Sequence, residues 1–183
     1  MRTFLSVLVA LSLLATPSVA DDVEDAISTA LEAYQAGDLK TAKEEIDFAA
    51  QLLGQLKADG LKALLPDAFD GWERKLKETQ SVAAFGGGQI ASATYRKDGK
   101  SVEMQLMAGN QLVTTMGAMF SNPALLGSLG KVKRINRQKV VITNQGEVQT
   151  LVNQVMVQIS GSADVADKEA YFEVLDVKAL ADF

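Results

Sequence analysis

Between Val23 and Tyr34 the apolar positions are Val23, Ala26, Ile27, Ala30, Leu31 and Tyr34, spaced as on one face of an α-helix. Ala36-Gly37-Asp38 then breaks the pattern, with a glycine where a helix end turns left-handed and an aspartate able to accept from the free amides of a following helix. The pattern returns over residues 39–57 as Leu39, Ala42, Ile46, Ala49 and Leu53, so two antiparallel helices are expected to close on each other. Phe48, Leu52 and Leu56 lie off that stripe. They give the second helix a surplus apolar face, to be covered by residues 61–65, by the rest of the protein or by a partner chain, and they are candidate partner-binding residues.

Pro66-Asp67-Ala68-Phe69-Asp70-Gly71 reads as a connector, and beyond it the period changes to two. Residues 90–95 and 102–106 flank Lys97-Asp98-Gly99-Lys100, and Asp-Gly between two β-prone runs signals a hairpin. Val102, Met104 and Leu106 alternate with Glu103 and Gln105, so one face is buried and the other wet. Residues 111–120 read as a helix ended by Ser121-Asn122-Pro123. Residues 132–135, 140–143, 148–152 and 155–160, separated by Asn136-Arg137, Gln145-Gly146 and Asn153-Gln154, read as a meander of hairpins. A last helix is expected from Asp164 or Asp167, burying Tyr171, Val174 and Leu175. The fold class is therefore α+β: a helical hairpin over 21–65, a connector over 66–71, and an antiparallel sheet with helices packed on one face over 72–183. Trp72, directly after Gly71 at this junction, reads as a wedge between the two parts.

Two resemblances attach to these patterns. Ala33-Tyr34-Gln35-Ala36-Gly37-Asp38 with Ala42, within residues 23–57, resembles one helix-turn-helix unit of a tetratricopeptide repeat, which implies peptide or protein binding. Over residues 71–180 the order of elements, the opening Gly71-Trp72 and the closing Val155-Met156-Val157-Gln158-Ile159-Ser160-Gly161 resemble the small secreted α+β proteins of the PsbP/Mog1/DcrB-like type. That resemblance implies a fold and an exported accessory role, and it transfers no site residue.

Composition narrows the chemistry. A chain with 48% apolar and 22% charged residues is globular. The absence of cysteine and histidine excludes disulfides, thiolate nucleophiles, cysteine-ligated metals and imidazole acid–base catalysis. A formal net charge of -5 argues against nucleic acid as a partner. Residues 1–20 read as a signal peptide: Arg2 precedes an apolar run too short to span a bilayer, and Ser18-Val19-Ala20 places small residues where signal peptidase reads them. Cleavage is expected after Ala20, giving a periplasmic protein with no integral membrane segment in the mature chain.

Four methionines form two Met-x-x-Met pairs, Met104 with Met107 and Met116 with Met119, and thioether sulfur selects Cu(I). Against a shared ion, Met104 and Met107 point to opposite sides of a strand, and the helix face of Met116 and Met119 also carries Leu112 and Phe120. The run Phe85-Gly86-Gly87-Gly88-Gln89 leads into a strand rather than a helix, so it is no phosphate cradle; it reads as a loop, with Phe85 a candidate docking side chain. Ser101 beside Lys100 and Ser128 near Lys131 sit in no nucleophile motif. Glu169, Glu173 and Asp176 form a stripe at helical spacing, and Lys131, Lys133, Arg134, Arg137 and Lys139 form a basic run suited to an anionic partner. With no assembled catalytic set, neither an enzyme nor a cofactor is expected. The expectation is an exported accessory or binding protein that recognises a protein, peptide or small apolar ligand, with a methionine-based Cu(I) carrier as the alternative.

Overall fold

The computed structural model describes residues 19–78, 80–81, 88–109 and 111–183. Residues 1–20, expected to be a signal peptide, lie outside this range except for Val19 and Ala20, and Phe85 lies outside it as well. The chain divides into two compact units, one reaching to Leu52 and the other running from Leu53 to Phe183.

The first unit consists of α1 (Val19–Gln35) and the leading half of α2 (Leu39–Ala63). Asp21 and Asp22 occupy the first turn of α1, where negative charge is favoured by the helix dipole. Gly37, at φ 81, turns the chain, and Asp38 caps α2 by accepting from the Thr41 amide at 3.1 Å and the Thr41 hydroxyl at 2.7 Å. Those two hydrogen bonds, the hydroxyl's first, hold the Asp38 carboxyl below its ordinary pKa. α2 is continuous to Ala63, so the segment expected to stand apart at 61–65 is mostly its last turn.

The second unit is an antiparallel sheet with flanking helices. Its elements are β1 (Glu73–Leu76), β2 (Gln80–Ser81), β3 (Gln89–Lys97), β4 (Lys100–Ala108), α3 (Gln111–Ser121), α4 (Pro123–Leu129), β5 (Gly130–Ile135), β6 (Gln138–Thr143), β7 (Val148–Val152), β8 (Val155–Ser160), α5 (Val165–Glu173) and α6 (Val177–Ala181). The strand order is β1-β3-β4-β8-β7-β6-β5, with β2 also paired to β3. Asp98 and Gly99, at φ 48 and 77, make the expected tight turn, and Lys97 opposes Lys100.

Strand alternation gives the sheet two different faces. One carries Tyr95, Val102, Met104, Leu106, Val140, Val148, Val157 and Ile159, all fully buried beneath Tyr171 and Phe172 of α5, Leu175 just beyond it, Leu180 of α6, Leu61 of α2 and Leu65 just after that helix. The opposite face carries Ile90, Met107, Leu151 and Met156, covered by Val113, Met116 and Phe120 of α3. The helical layer expected on one face thus forms the main core, and α3 takes the other face, where Ile90, Met107, Leu151 and Met156 are apolar and Glu103, Gln105 and Gln158 are not. Val174, expected in the core, is half exposed because α5 ends one residue earlier, at Glu173. Phe172 takes the inward position instead.

Candidate functional site

The hairpin unit is closed by small side chains. Val23, Ala26 and Ala30 of α1 and Ala42, Ala49 and Leu52 of α2 are its buried positions. Alanine lets two helices approach closely but covers little area, so the larger apolar side chains beside it stay in water. On α1 these are Ile27, Leu31 and Tyr34, exposed by 52, 55 and 65%, and on α2 Leu39 and Ile46, exposed by 66 and 58%. At about 100° per residue, each set sits on the same rotational flank of its helix's buried arc. In an antiparallel pair those flanks fall on one broad side of the hairpin, which makes the five side chains neighbours on a single apolar face.

The candidate residues chosen from the sequence are distributed differently. Leu52 is buried, so it is part of the helix pairing and not a docking residue. Phe48 is 47% exposed and lies on the other flank of α2, two residues from Ile46 and so nearly opposite it. Leu56 is partly exposed further along the same helix, and Phe85 falls outside the described residues. What the sequence reading missed is that the stripe it assigned to helix pairing splits, with Ala42 and Ala49 turned inward and Leu39 and Ile46 outward. The signal was present in the size difference between these residues.

No match to this chain is found among protein-family models, curated proteins or solved structures.

The methionines do not assemble as the Met-x-x-Met spacing invites. Met104 is fully buried in the main core, while Met107 is on the opposite face. Met119 is half buried and stands outside both cores. Met116 packs against the cluster that holds Met107 and Met156, its direct cross-strand partner. Met156 was not foreseeable, because β4 and β8 pair across a long stretch of sequence.

The polar candidates are engaged in structural bonds. Lys100 donates to Asp164 at 2.7 Å, which raises the Lys100 pKa and lowers that of Asp164 through the hydrogen bond first. Ser101 lies 3.3 Å from the Ser162 hydroxyl, and the Ser128 hydroxyl donates to the Leu125 carbonyl at 2.7 Å. Of the acidic stripe, Glu169 accepts from Lys133 at 2.6 Å and Asp176 caps α6 through the Ala179 amide at 2.9 Å. Trp72 packs edge-on against Tyr171 with ring centroids 5.6 Å apart, inside the sheet unit. Among the described residues no three carboxylates gather as a metal-holding group, and no helix is long and apolar enough to cross a membrane.

Proposed function

We propose that this is an exported, non-enzymatic accessory protein that recognises a protein or peptide through the apolar face of its helical hairpin. The observation that carries the reading is the exposure of Ile27, Leu31, Tyr34, Leu39 and Ile46 on one side of a two-helix unit. Contiguous apolar surface of this kind marks interaction sites, since leaving it in water is unfavourable. α1 adds a preference: Asp21, Asp22, Glu24, Asp25 and Glu32 are its only charged residues, so a partner with basic residues flanking an apolar stripe fits best. Export rests on the leader-like pattern of residues 1–20.

A benzophenone amino acid placed at position 46 tests this in cells of the native host. One discrete cross-linked adduct is expected, lost when Ile27→Glu and Leu31→Glu are added. Labelling indistinguishable from that of the same probe at exposed Asp176 would refute the reading. A second reading, a Cu(I) carrier, is favoured by the convergence of Met107, Met116 and Met156. Bicinchoninate competition should then show one-to-one binding that Met116→Leu and Met156→Leu abolish; an unchanged competition curve in the double variant removes it.

A further inference from the structure

On the face of the sheet covered by α3, a cavity of about 350 Å³ is lined by Arg134, Arg137 and Lys139 together with Phe120, Ser121 and Leu151. Its charged lining is wholly cationic in a protein whose formal net charge is -5. None of the ion pairs among the described residues uses Arg134, Arg137 or Lys139. The larger cavity at the β3–β4 turn is different: there Arg96, Lys97 and Lys100 share the lining with Glu73 and Asp98.

Two local features around this gathering of charge are unfavourable in themselves. Arg134 and Lys139 are direct partners across the β5–β6 ladder, and like charges placed opposite each other destabilise an antiparallel pair. The turn between them is the two-residue loop Asn136-Arg137, with φ 49 and 66. Such a turn takes Asn-Gly most readily, because both central residues need positive φ. The asparagine suits its place and also donates to the Glu173 carbonyl at 2.6 Å. The arginine occupies the position that favours glycine, so a guanidinium that lines the cavity is carried on a strained backbone.

We propose that this cavity binds a phosphate monoester dianion. Two planar guanidinium forks and one ammonium match its charge and its spread of acceptor oxygens. The volume lies at the lower end of the range of ligand sites, enough for a head group. Phe120 and Leu151 form an apolar wall beside the cations, which favours a phosphate carried on an alkyl chain over free phosphate. This site is separate from the hairpin face and independent of it.

Calorimetric titration of the purified chain at low ionic strength, with decyl phosphate below its micellar range, inorganic phosphate and decyl maltoside, tests the proposal. Decyl phosphate is expected to bind at least tenfold more tightly than inorganic phosphate, with no saturable binding of the maltoside and weakening as salt is raised. Inorganic phosphate binding as tightly as decyl phosphate would overturn the monoester and make free phosphate the ligand. Arg134→Gln and Lys139→Gln should each weaken binding several-fold. Arg137→Gly is the sharpest variant: it should lower affinity about tenfold while raising the melting temperature, since glycine relieves the turn. Failure of both phosphates to bind, equal binding of the maltoside, or affinity unchanged in all three variants overturns the proposal.

Discussion

Replacing Tyr95 with phenylalanine tests how the connector is fastened to the sheet. Tyr95 is fully buried, its ring lies 4.2 Å from that of Tyr171 between centroids, and its hydroxyl donates to the Pro66 carbonyl at 2.7 Å. The same carbonyl accepts from Arg74 Nη1 at 3.0 Å, and Arg74 also holds the Leu65 carbonyl and Asp67. Phenylalanine keeps the ring packing and deletes one neutral hydrogen bond, worth about 1 kcal/mol net. Because Arg74 remains on Pro66, the further ~1–3 kcal/mol of an orphaned buried acceptor is not incurred. The melting temperature should therefore fall by about 2–4 °C. Burial is the largest cause raising the Tyr95 pKa well above the ordinary phenol range. The folded state keeps this proton at pH values where the unfolded chain has released it, so the unfolded state binds fewer protons and stability falls as pH rises above about 10. In that window Tyr95 contributes a slope of about 1.4 kcal/mol per pH unit, which the variant loses. Tyr171 is shifted the same way, again mainly by burial, and leaves a residual slope in both proteins. Urea unfolding followed by Trp72 fluorescence at pH 7 and across pH 9.5 to 11 measures both quantities. A loss above 3 kcal/mol at pH 7, or an alkaline slope identical to the wild type, refutes this account.

Gly161 adopts φ 109, and a Cβ there would collide with the carbonyl of Ser101, which accepts from the Ala163 amide. Gly161→Ala should cost about 2 kcal/mol or more in chemical unfolding, and a variant as stable as the wild type would show that the β8–α5 corner yields. Asp38→Ala should lower helicity and melting temperature at pH 7. Because the folded-state pKa of Asp38 is depressed, the deficit should shrink as pH falls through the carboxylate range, measurable by circular dichroism at pH 7 and 3. Ile27→Ser with Ile46→Ser should reduce binding of a hydrophobic dye while leaving the melting temperature within a few degrees, since both side chains are more than half exposed.

The sequence made the fold legible wherever a residue's type and its spacing agreed. Asp98-Gly99 located the β3–β4 turn, and the alternation of Val102, Met104 and Leu106 assigned the buried face of β4. β1 escaped notice because Glu73, Arg74, Lys75 and Leu76, at the sheet edge, show no alternation of buried and exposed positions and leave no apolar period. Pro123 was read as closing a helix, which is half of its role: α3 does end at Ser121, but Asn122 caps α4 by accepting from the Ala124 amide, and Pro123 opens that helix. For the hairpin, spacing located the apolar positions, but only packing decided that alanines pair and Leu39 and Ile46 remain outside. The basic run at 131–139 was visible in the sequence. Its meeting with Phe120 and Leu151 depends on α3 covering the second face, which no local pattern encodes.

The strand order has a kinetic consequence. β3–β4 and β5–β6–β7–β8 are each built from neighbouring strands, and each can form by closing short turns. They are joined along a single seam, β4 against β8, where even the nearest pair, Ala108 and Val155, is separated by the whole α3–α4 segment and three strands. Closing that long loop exacts its entropic cost before the seam contributes any stability. Folding should therefore wait on the docking of two preassembled β-modules. Truncations at Leu106 and Val157, which oppose each other across the seam, would slow refolding, whereas changes at the Asp98-Gly99 turn would mainly speed unfolding.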